Sequence, residues 1–339
     1  IEIKATDFLE IDALQTLNDR KVNGLVRNNL LDILDEKTIR IRSEILKNGK
    51  SIVNKKTKTI TQFRPMILSR HPSHNCLRAN TKNIVPLPYR AVVRFGYTTE
   101  VDDTITNGGN RIEINTVESI KNSANKLLMK QKFQQVGVKT AEWITYTNLE
   151  TLKGWASEKF PIVAKAHFGS KGRGNTLVKS AEELENWIKK NSPSNYIFEK
   201  FMNYGHEFRL HVTEQGCFYA CRKALKADVP EDQKWRRHDD ICVWFLEENE
   251  SFFKPNSWND IIDDCVSALK AIGADILSFD VRVQSPTDSK GNLRDYQDYI
   301  LLECNSASSM DNGSGELSVC AKKYIEEVRK TIIYKVNKI

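Results

Sequence analysis

Residues 165–174 read Lys-Ala-His-Phe-Gly-Ser-Lys-Gly-Arg-Gly, and the fold turns on how that decade is read. It continues an apolar run through Ile162, Val163 and Ala164, which predicts a strand over 161–166 leading straight into a loop. Gly169, Gly172 and Gly174 allow backbone N–H groups to close around phosphate oxygens. Ser170 lies among them, and Lys165, Lys171 and Arg173 supply positive charge. The spacing differs from the P-loop, Gly-x-x-x-x-Gly-Lys-Ser/Thr, and from the Rossmann fingerprint, which opens a helix. Taken alone, the decade reads equally well as a flexible basic hairpin.

Around it the hydrophobic punctuation is regular. Leu127, Leu128, Phe133 and Val136 recur at helical spacing and predict one helix over 123–136 that stops at Gly137. Ser180 with Glu183 forms a capping box ahead of a helix burying Leu184, Trp187 and Ile188, and 196–201 reads as the next strand. Runs at 206–213 and 217–225, separated by Glu214-Gln215-Gly216, predict an antiparallel hairpin with Cys217 and Cys221 on one face. A strand is expected at 241–246, a helix at 260–272 ended by Gly273, a strand pair at 276–283 and 299–304, and a closing helix at 324–336.

Upstream, 91–95 reads as a buried strand before a polar loop over 96–110, followed by a short strand at 111–114. The stretch 47–83 is the most polar and least periodic, and is expected to be a surface loop. Within it His71, His74 and Cys76 invite a zinc reading, but a fourth ligand is missing.

The late strand pair carries chemistry. Asp280 stands in Ile-Leu-Ser-Phe-Asp-Val-Arg, and Glu303 and Asn305 in Leu-Leu-Glu-Cys-Asn. Residues two apart on a strand face the same way, so Glu303 and Asn305 share a side that Asp280 on the neighbouring strand completes. These oxygen donors suit Mg²⁺, which takes a few carboxylates together with phosphates and water. A carboxylate among Tyr299, Ile300, Leu301 and Cys304 costs too much to be idle.

The whole chain of 339 residues is long enough for two or three packed units. With 40% hydrophobic and 28% charged residues it reads as a soluble globular enzyme, with no apolar run long enough to span a bilayer. The opening Ile-Glu-Ile-Lys has no secretory pattern. Seven scattered cysteines without a Cys-x-x-Cys pair point to reduced thiols and a cytoplasmic setting. The net charge of +7 favours acidic partners such as ATP, an acidic peptide or a nucleic acid.

In order and spacing over 119–316 these features resemble the ATP-grasp superfamily. The resemblance implies an α/β (α+β) ATP-grasp fold. It implies an N-terminal pre-ATP-grasp domain over 1–115, a central subdomain with the phosphate loop over 116–204, and a C-terminal subdomain with the metal site over 205–339. It implies that Lys126 and Lys165 touch ATP phosphate, that Glu199, Lys200 and Phe201 in Tyr196-Ile-Phe-Glu-Lys-Phe read adenine, and that Leu302 lies beneath it. Glu207 would bind the ribose hydroxyls, and Asp280, Glu303 and Asn305 two Mg²⁺ ions. Glu-Phe-Arg-Leu-His-Val, Lys-Trp-Arg-Arg-His-Asp-Asp and Glu-Cys-Asn-Ser further resemble the stand-alone ATP-grasp proteins of bacteriophages. Arg236-Arg237-His238-Asp239 departs from their Arg-Asn-His-Asp segment, and Asn305-Ser306 from their Asn-Thr.

The activity this implies is carboxylate-amine ligation through an acyl phosphate, with release of ADP and phosphate. Ser278 stands where D-alanine:D-alanine ligases carry an arginine two residues before the metal aspartate, so another cation must grip the carboxylate. Arg222 or Lys223, Arg237 and Arg282 are the candidates, with Asn305 beside the metals and Arg209, His211 and His238 positioned to orient neighbours. Arg90, Arg94 and the 96–110 loop are expected to face substrate. The acceptor stays open among a small molecule, a peptide or protein, and a nucleotide. A phosphotransferase and a nucleotide-dependent binding module for an acidic polymer remain as alternatives.

Overall fold

The computed structural model describes residues 2–4, 31–35, 38–41, 62–69, 71–86, 89–102, 110–169, 172–237, 241–310 and 318–339, with side chains from Phe63 onward. The chain divides into two compact units, one of Ile1–Arg94, Thr99–Ile114 and Ser309–Ile339, the other of Phe95–Thr98 and Asn115–Ser308.

In the first unit β1 (Glu2–Lys4), β2 (Leu31–Asp35) and β3 (Thr38–Ile41) form an antiparallel sheet with β3 central. The strands β4 (Gln62–Phe63), β5 (Met66–Leu68), β6 (Val85–Pro86), β7 (Arg90–Arg94) and β8 (Arg111–Ile114) follow. β5, β7 and β8 make a parallel sheet whose central strand is buried from Ala91 to Arg94, and β4 pairs with β6. The 47–83 stretch is less loop-like than its polarity suggested, since a 3-10 turn, Pro72–His74, runs into helix α1 (Asn75–Asn80).

The second unit holds two antiparallel sheets. Helices α2 (Val117–Ala124) and α3 (Lys126–Gln135) come first. The single helix expected over 123–136 is broken at Asn125, which is extended and turns its side-chain oxygen back onto the N–H groups of Leu127 and Leu128. A short amide side chain that satisfies orphan donors this way starts a new helix rather than continuing the old one.

The first sheet runs β11 (Asn175–Val178), β10 (Ile162–Ala166), β12 (Tyr196–Lys200), β9 (Trp143–Thr145). Helices α4 (Leu149–Ala156) and α5 (Ala181–Lys190) bury Leu152, Ala156, Leu184 and Trp187 against Ile162, Ala164 and Phe198. Ser180 caps α5 by accepting from Glu183 N, while the Glu183 carboxylate reaches the N–H of Lys179, one residue earlier than a strict capping box.

The second sheet runs β15 (Cys242–Leu246), β14 (Gly216–Leu225), β13 (His206–Thr213), β16 (Ile276–Val283), β17 (Tyr299–Asn305). One face is covered by α6 (Trp258–Ile272), whose Ile261, Cys265, Leu269 and Ile272 pack on Phe208, Leu210, Phe279 and Val281. Gly273, at φ +78, ends α6 in the left-handed conformation and donates to both Leu269 and Lys270 carbonyls. Met129 and Phe133 of α3 join this same core. The closing helix α7 (Val319–Asn337) begins five residues earlier than expected, at a Ser318 cap, and belongs to the first unit, where Lys335 Nζ donates to Glu113 O at 2.6 Å.

In this sheet two β-bulges adjust which side chains meet. Between His211 and Val212 the register on β14 shifts, pairing His211 with Tyr219 and Val212 with Cys217. Cys217 therefore turns toward the α6 core and Cys221 toward the opposite face, so the two do not share a side. On β17 the register shifts at Leu302: Glu303 opposes Asp280 and Leu301 opposes Val281.

Candidate functional site

The face of the second sheet turned away from α6 is lined by charge. Strand pairing places Glu207 between Lys223 and Arg282, and Arg209 between Cys221 and Asp280. His211 lies between Tyr219 and Ser278. Glu303 and Asn305 oppose Asp280 and Ser278, so Asp280, Glu303 and Asn305 are gathered on one side as the strand period requires. Leu302 is the residue left over by the bulge and is half-buried.

Arg209 forks onto Asp280, with Nε to Oδ1 at 2.7 Å and Nη2 to Oδ2 at 3.0 Å, and Asn305 Nδ2 lies 3.3 Å from Oδ2. Burial opposes ionisation of Asp280, but Arg209, with Lys223 and His211 adding to it, holds the carboxyl below its usual range. His211 is pushed down to about 3 by burial, with Arg209 adding to the shift, and stays neutral.

Glu207 is fixed rather than free to swing. Arg282 Nε donates to its Oε2 at 3.1 Å and Lys223 Nζ lies 3.7 Å from Oε1. Arg282 also donates to the carbonyls of Met202 and Trp235 and rests 5.5 Å from the Phe201 ring. Arg237, at φ +44, donates to the carbonyls of Tyr204 and Gly205 and so ties down the turn before β13. Arg222 is not on this face. It opposes core residue Phe208 and is stacked between Phe245 and Phe253, 4.6 and 5.0 Å from their centroids.

On the first sheet Lys165 pairs with Glu199, across neighbouring strands β10 and β12. The same carboxylate takes Lys130, with Nζ to Oε1 at 3.0 Å; Lys130 and Glu199 are 1% and 2% exposed. Burial penalises the charge of Glu199, but the two lysines outweigh it and hold its carboxyl below the usual range, while burial lowers the Lys130 ammonium. Lys130 also donates to Thr140 Oγ1 and, at 3.4 Å, to Leu301 O, so one α3 side chain touches both sheets. Lys130 was not among the candidate residues. Its signal lay in the four-residue spacing from Lys126, which places both on one side of α3.

Lys126 Nζ donates to Gly169 O at 3.0 Å, anchoring the start of the glycine loop. Gly169, Gly172 and Gly174 adopt φ of +155°, +67° and +79°, and a Cβ on Gly169 would stand 2.8 Å from Arg173 O. Arg173 is exposed; Ser170, Lys171, His238 and Asp239 lie outside the described residues. Phe201 N donates to Pro161 O at 3.1 Å. Lys200 is directed at Glu142, 3.8 Å away, and is partly exposed.

In the first unit Arg94 is wholly buried and paired with Glu113 at 3.0 Å, so it does not face a ligand as expected. Arg90 lies over the Phe63 ring at 3.4 Å and burial lowers it to about 10. His71 and His74 are hydrogen-bonded to Ser73 and Ser69, and Cys76 Sγ donates to Ser73 O at 3.0 Å. Among the described residues no three His, Cys, Asp or Glu side chains form a ready metal cage. The Asp280, Glu303 and Asn305 set nonetheless fits Mg²⁺, which needs only one or two carboxylates when phosphates and water fill the other positions.

Residues 131–229 match the ATP-grasp domain family. A formate-dependent phosphoribosylglycinamide formyltransferase of Bacteroides fragilis is 37% identical over 90 residues, which is 24% of this chain and 23% of that protein. This chain thus matches less than a quarter of that relative's length. Among solved structures, D-alanine–D-alanine ligase from Bacillus anthracis complexed with ATP aligns with a TM-score of 0.55 at 14% identity, over 82% of this chain and 99% of that one. The ATP-grasp ligase PsnB, complexed with a phosphomimetic variant of a minimal precursor, Mg and ADP, aligns with a TM-score of 0.52 at 13% identity, over 80% of this chain and 99% of that one. The chain has the ATP-grasp fold, a mixed α/β architecture as its sequence led us to expect.

Proposed function

We propose that this chain is an ATP-dependent ligase that activates a carboxylate as an acyl phosphate, joins it to an amine, and releases ADP and phosphate. The observation that carries this reading is the shared face of β13, β16 and β17, where Asp280, Glu303 and Asn305 gather in the same unit as Lys165 and the glycine loop. The neighbouring structures are of proteins described as ligases, which agrees with it.

In this account the strands of 116–204 and those of 205–305 act as two subdomains holding ATP. Lys165 and Lys126 neutralise phosphate, with Glu199 and Lys130 orienting Lys165. The 169–174 loop closes over the phosphates and excludes water, which protects a hydrolysable acyl phosphate. Glu207, held by Lys223 and Arg282, receives the ribose hydroxyls. Glu199 to Phe201 and Leu302 frame adenine. Asp280, Glu303 and Asn305 would hold Mg²⁺, two ions on our reading, which when bound offsets charge developing on the transferred phosphoryl group.

Lys223, Arg237 and Arg282 then serve by fixing the pocket walls, and Arg209 becomes the cation nearest the metal residues. The carboxylate belongs to a small molecule or peptide and the amine to an acceptor of the same kinds. Seven free thiols agree with a cytoplasmic setting, that of a host cell if the bacteriophage resemblance holds. Replacing Lys165 with Met is expected to abolish ATP turnover while leaving the circular dichroism spectrum unchanged. Turnover at the wild-type level in that variant would count against the assignment.

A further inference from the structure

The Asp280 carboxylate is already held by a cation of the chain itself. Arg209 engages both oxygens in a two-point fork at 2.7 and 3.0 Å, and the β13–β16 register sets the two residues directly opposite. Asp280 is 7% exposed, so water is a poor substitute partner. A divalent ion at Asp280 competes with Arg209 for the same two carboxylate oxygens. The guanidinium has somewhere to go, because its carbon already lies 4.8 Å from the centroid of the Trp244 ring, over which it can slide. It also has a reason to go, because a planar guanidinium grips phosphate oxygens with the same two-point geometry it uses on a carboxylate.

We propose that Arg209 is a latch on Asp280, closed by this fork and opened when nucleotide phosphates draw the guanidinium away, so that metal loading becomes conditional on nucleotide. The proposal rests on the reading of Asp280, Glu303 and Asn305 as the metal residues. Its thermodynamic content is linkage: the nucleotide raises metal affinity, and the metal raises nucleotide affinity by the same factor, with Arg209 carrying part of that coupling.

The test is Mn²⁺ binding to the full chain followed by electron paramagnetic resonance, with and without the non-hydrolysable nucleotide AMPPNP. Arg209→Gln is expected to bind Mn²⁺ alone at least about tenfold more tightly than wild type, equivalent to about 1.4 kcal/mol. The enhancement by AMPPNP is expected to shrink accordingly. Arg209→Lys, which keeps the charge but loses the fork, should fall between and serves if the Gln variant folds poorly. Lys223→Gln removes a nearby cation that does not touch Asp280 and should change Mn²⁺ affinity by less than about threefold. Wild-type affinity in both Arg209 variants, or an equal gain in Lys223→Gln, overturns the latch. Mn²⁺–AMPPNP binding in wild type that survives Asp280→Asn undiminished overturns instead the metal reading beneath it.

Discussion

Lys130 Nζ lies 3.0 Å from Glu199 Oε1, with both side chains out of contact with water. The pair joins helix α3 to strand β12, and Lys165 takes the other carboxylate oxygen. Removing the anion strands two cations, whereas removing Lys130 leaves Glu199 with a partner. Glu199→Leu should therefore cost about 3–5 kcal/mol and Lys130→Met about 1.5–3 kcal/mol in urea denaturation. Equal losses in the two variants would show that Lys165 does not share the charge.

Asn115 is wholly buried at φ +58, accepting from the N–H groups of Asp275 and Ile276 at 2.9 and 3.0 Å and donating to Ile276 O at 2.9 Å. Asn115→Ala should cost about 3 kcal/mol or more, because buried backbone groups lose partners. Asn115→Gly should cost about 1 kcal/mol less than Ala, since glycine tolerates that φ. The order of the two thermal midpoints checks this, and Ala above Gly would contradict it.

Gly169→Ala puts a methyl 2.8 Å from Arg173 O, while the same change at Gly172 meets nothing within 4 Å and strains only its own backbone, at φ +67. AMPPNP titration should show about a tenfold weaker affinity for Gly169→Ala and less than about threefold for Gly172→Ala, a difference near 1 kcal/mol. Unaltered affinity in Gly169→Ala would remove the loop from the nucleotide site.

His206 is stacked edge-on against Phe253 at 4.9 Å and is lowered to about 4 by burial, then by Arg222 and Arg237. Above pH 6.5 neither state carries the proton. Between 6.5 and about 4 the unfolded chain takes up a proton that the folded chain refuses, so stability falls as pH falls. The slope from this ring should stay under about 1.4 kcal/mol per pH unit, because it is part-exposed and solvent screens its neighbours. Urea midpoints from pH 7.5 to 5 should fall less steeply in His206→Phe than in wild type; parallel slopes would exclude the ring.

Strand β16 was legible to the residue because Leu277, Phe279, Val281 and Val283 alternate with Ser278, Asp280 and Arg282 between Gly273 and a polar turn. The gathering of Asp280, Glu303 and Asn305 followed from the same two-residue period. Bulges were not legible: one extra residue at Phe218 or Leu302 leaves the apolar pattern nearly intact yet moves Cys217 to the other face. Asn125 was read as one position in a helix, although its side chain is the break. Lys130 was overlooked because a charged residue on a helix ordinarily faces solvent, and its burial depends on Glu199, 69 positions away. Arg222 and Arg94 failed as candidates for the converse reason, since each is covered by neighbours that only tertiary structure brings together.

The central claim is carboxylate-amine ligation driven by ATP, and product analysis tests it most directly. Purified chain with Mg²⁺ and ATP is incubated with an amino-acid and cell-extract pool, and nucleotides and conjugates are read by mass spectrometry. The account predicts ADP and phosphate that accumulate only when carboxylate and amine are both present, with a conjugate heavier than the carboxylate by the amine minus water. AMP as the nucleotide product, or ADP formed with a phosphorylated final product and no conjugate, would contradict it.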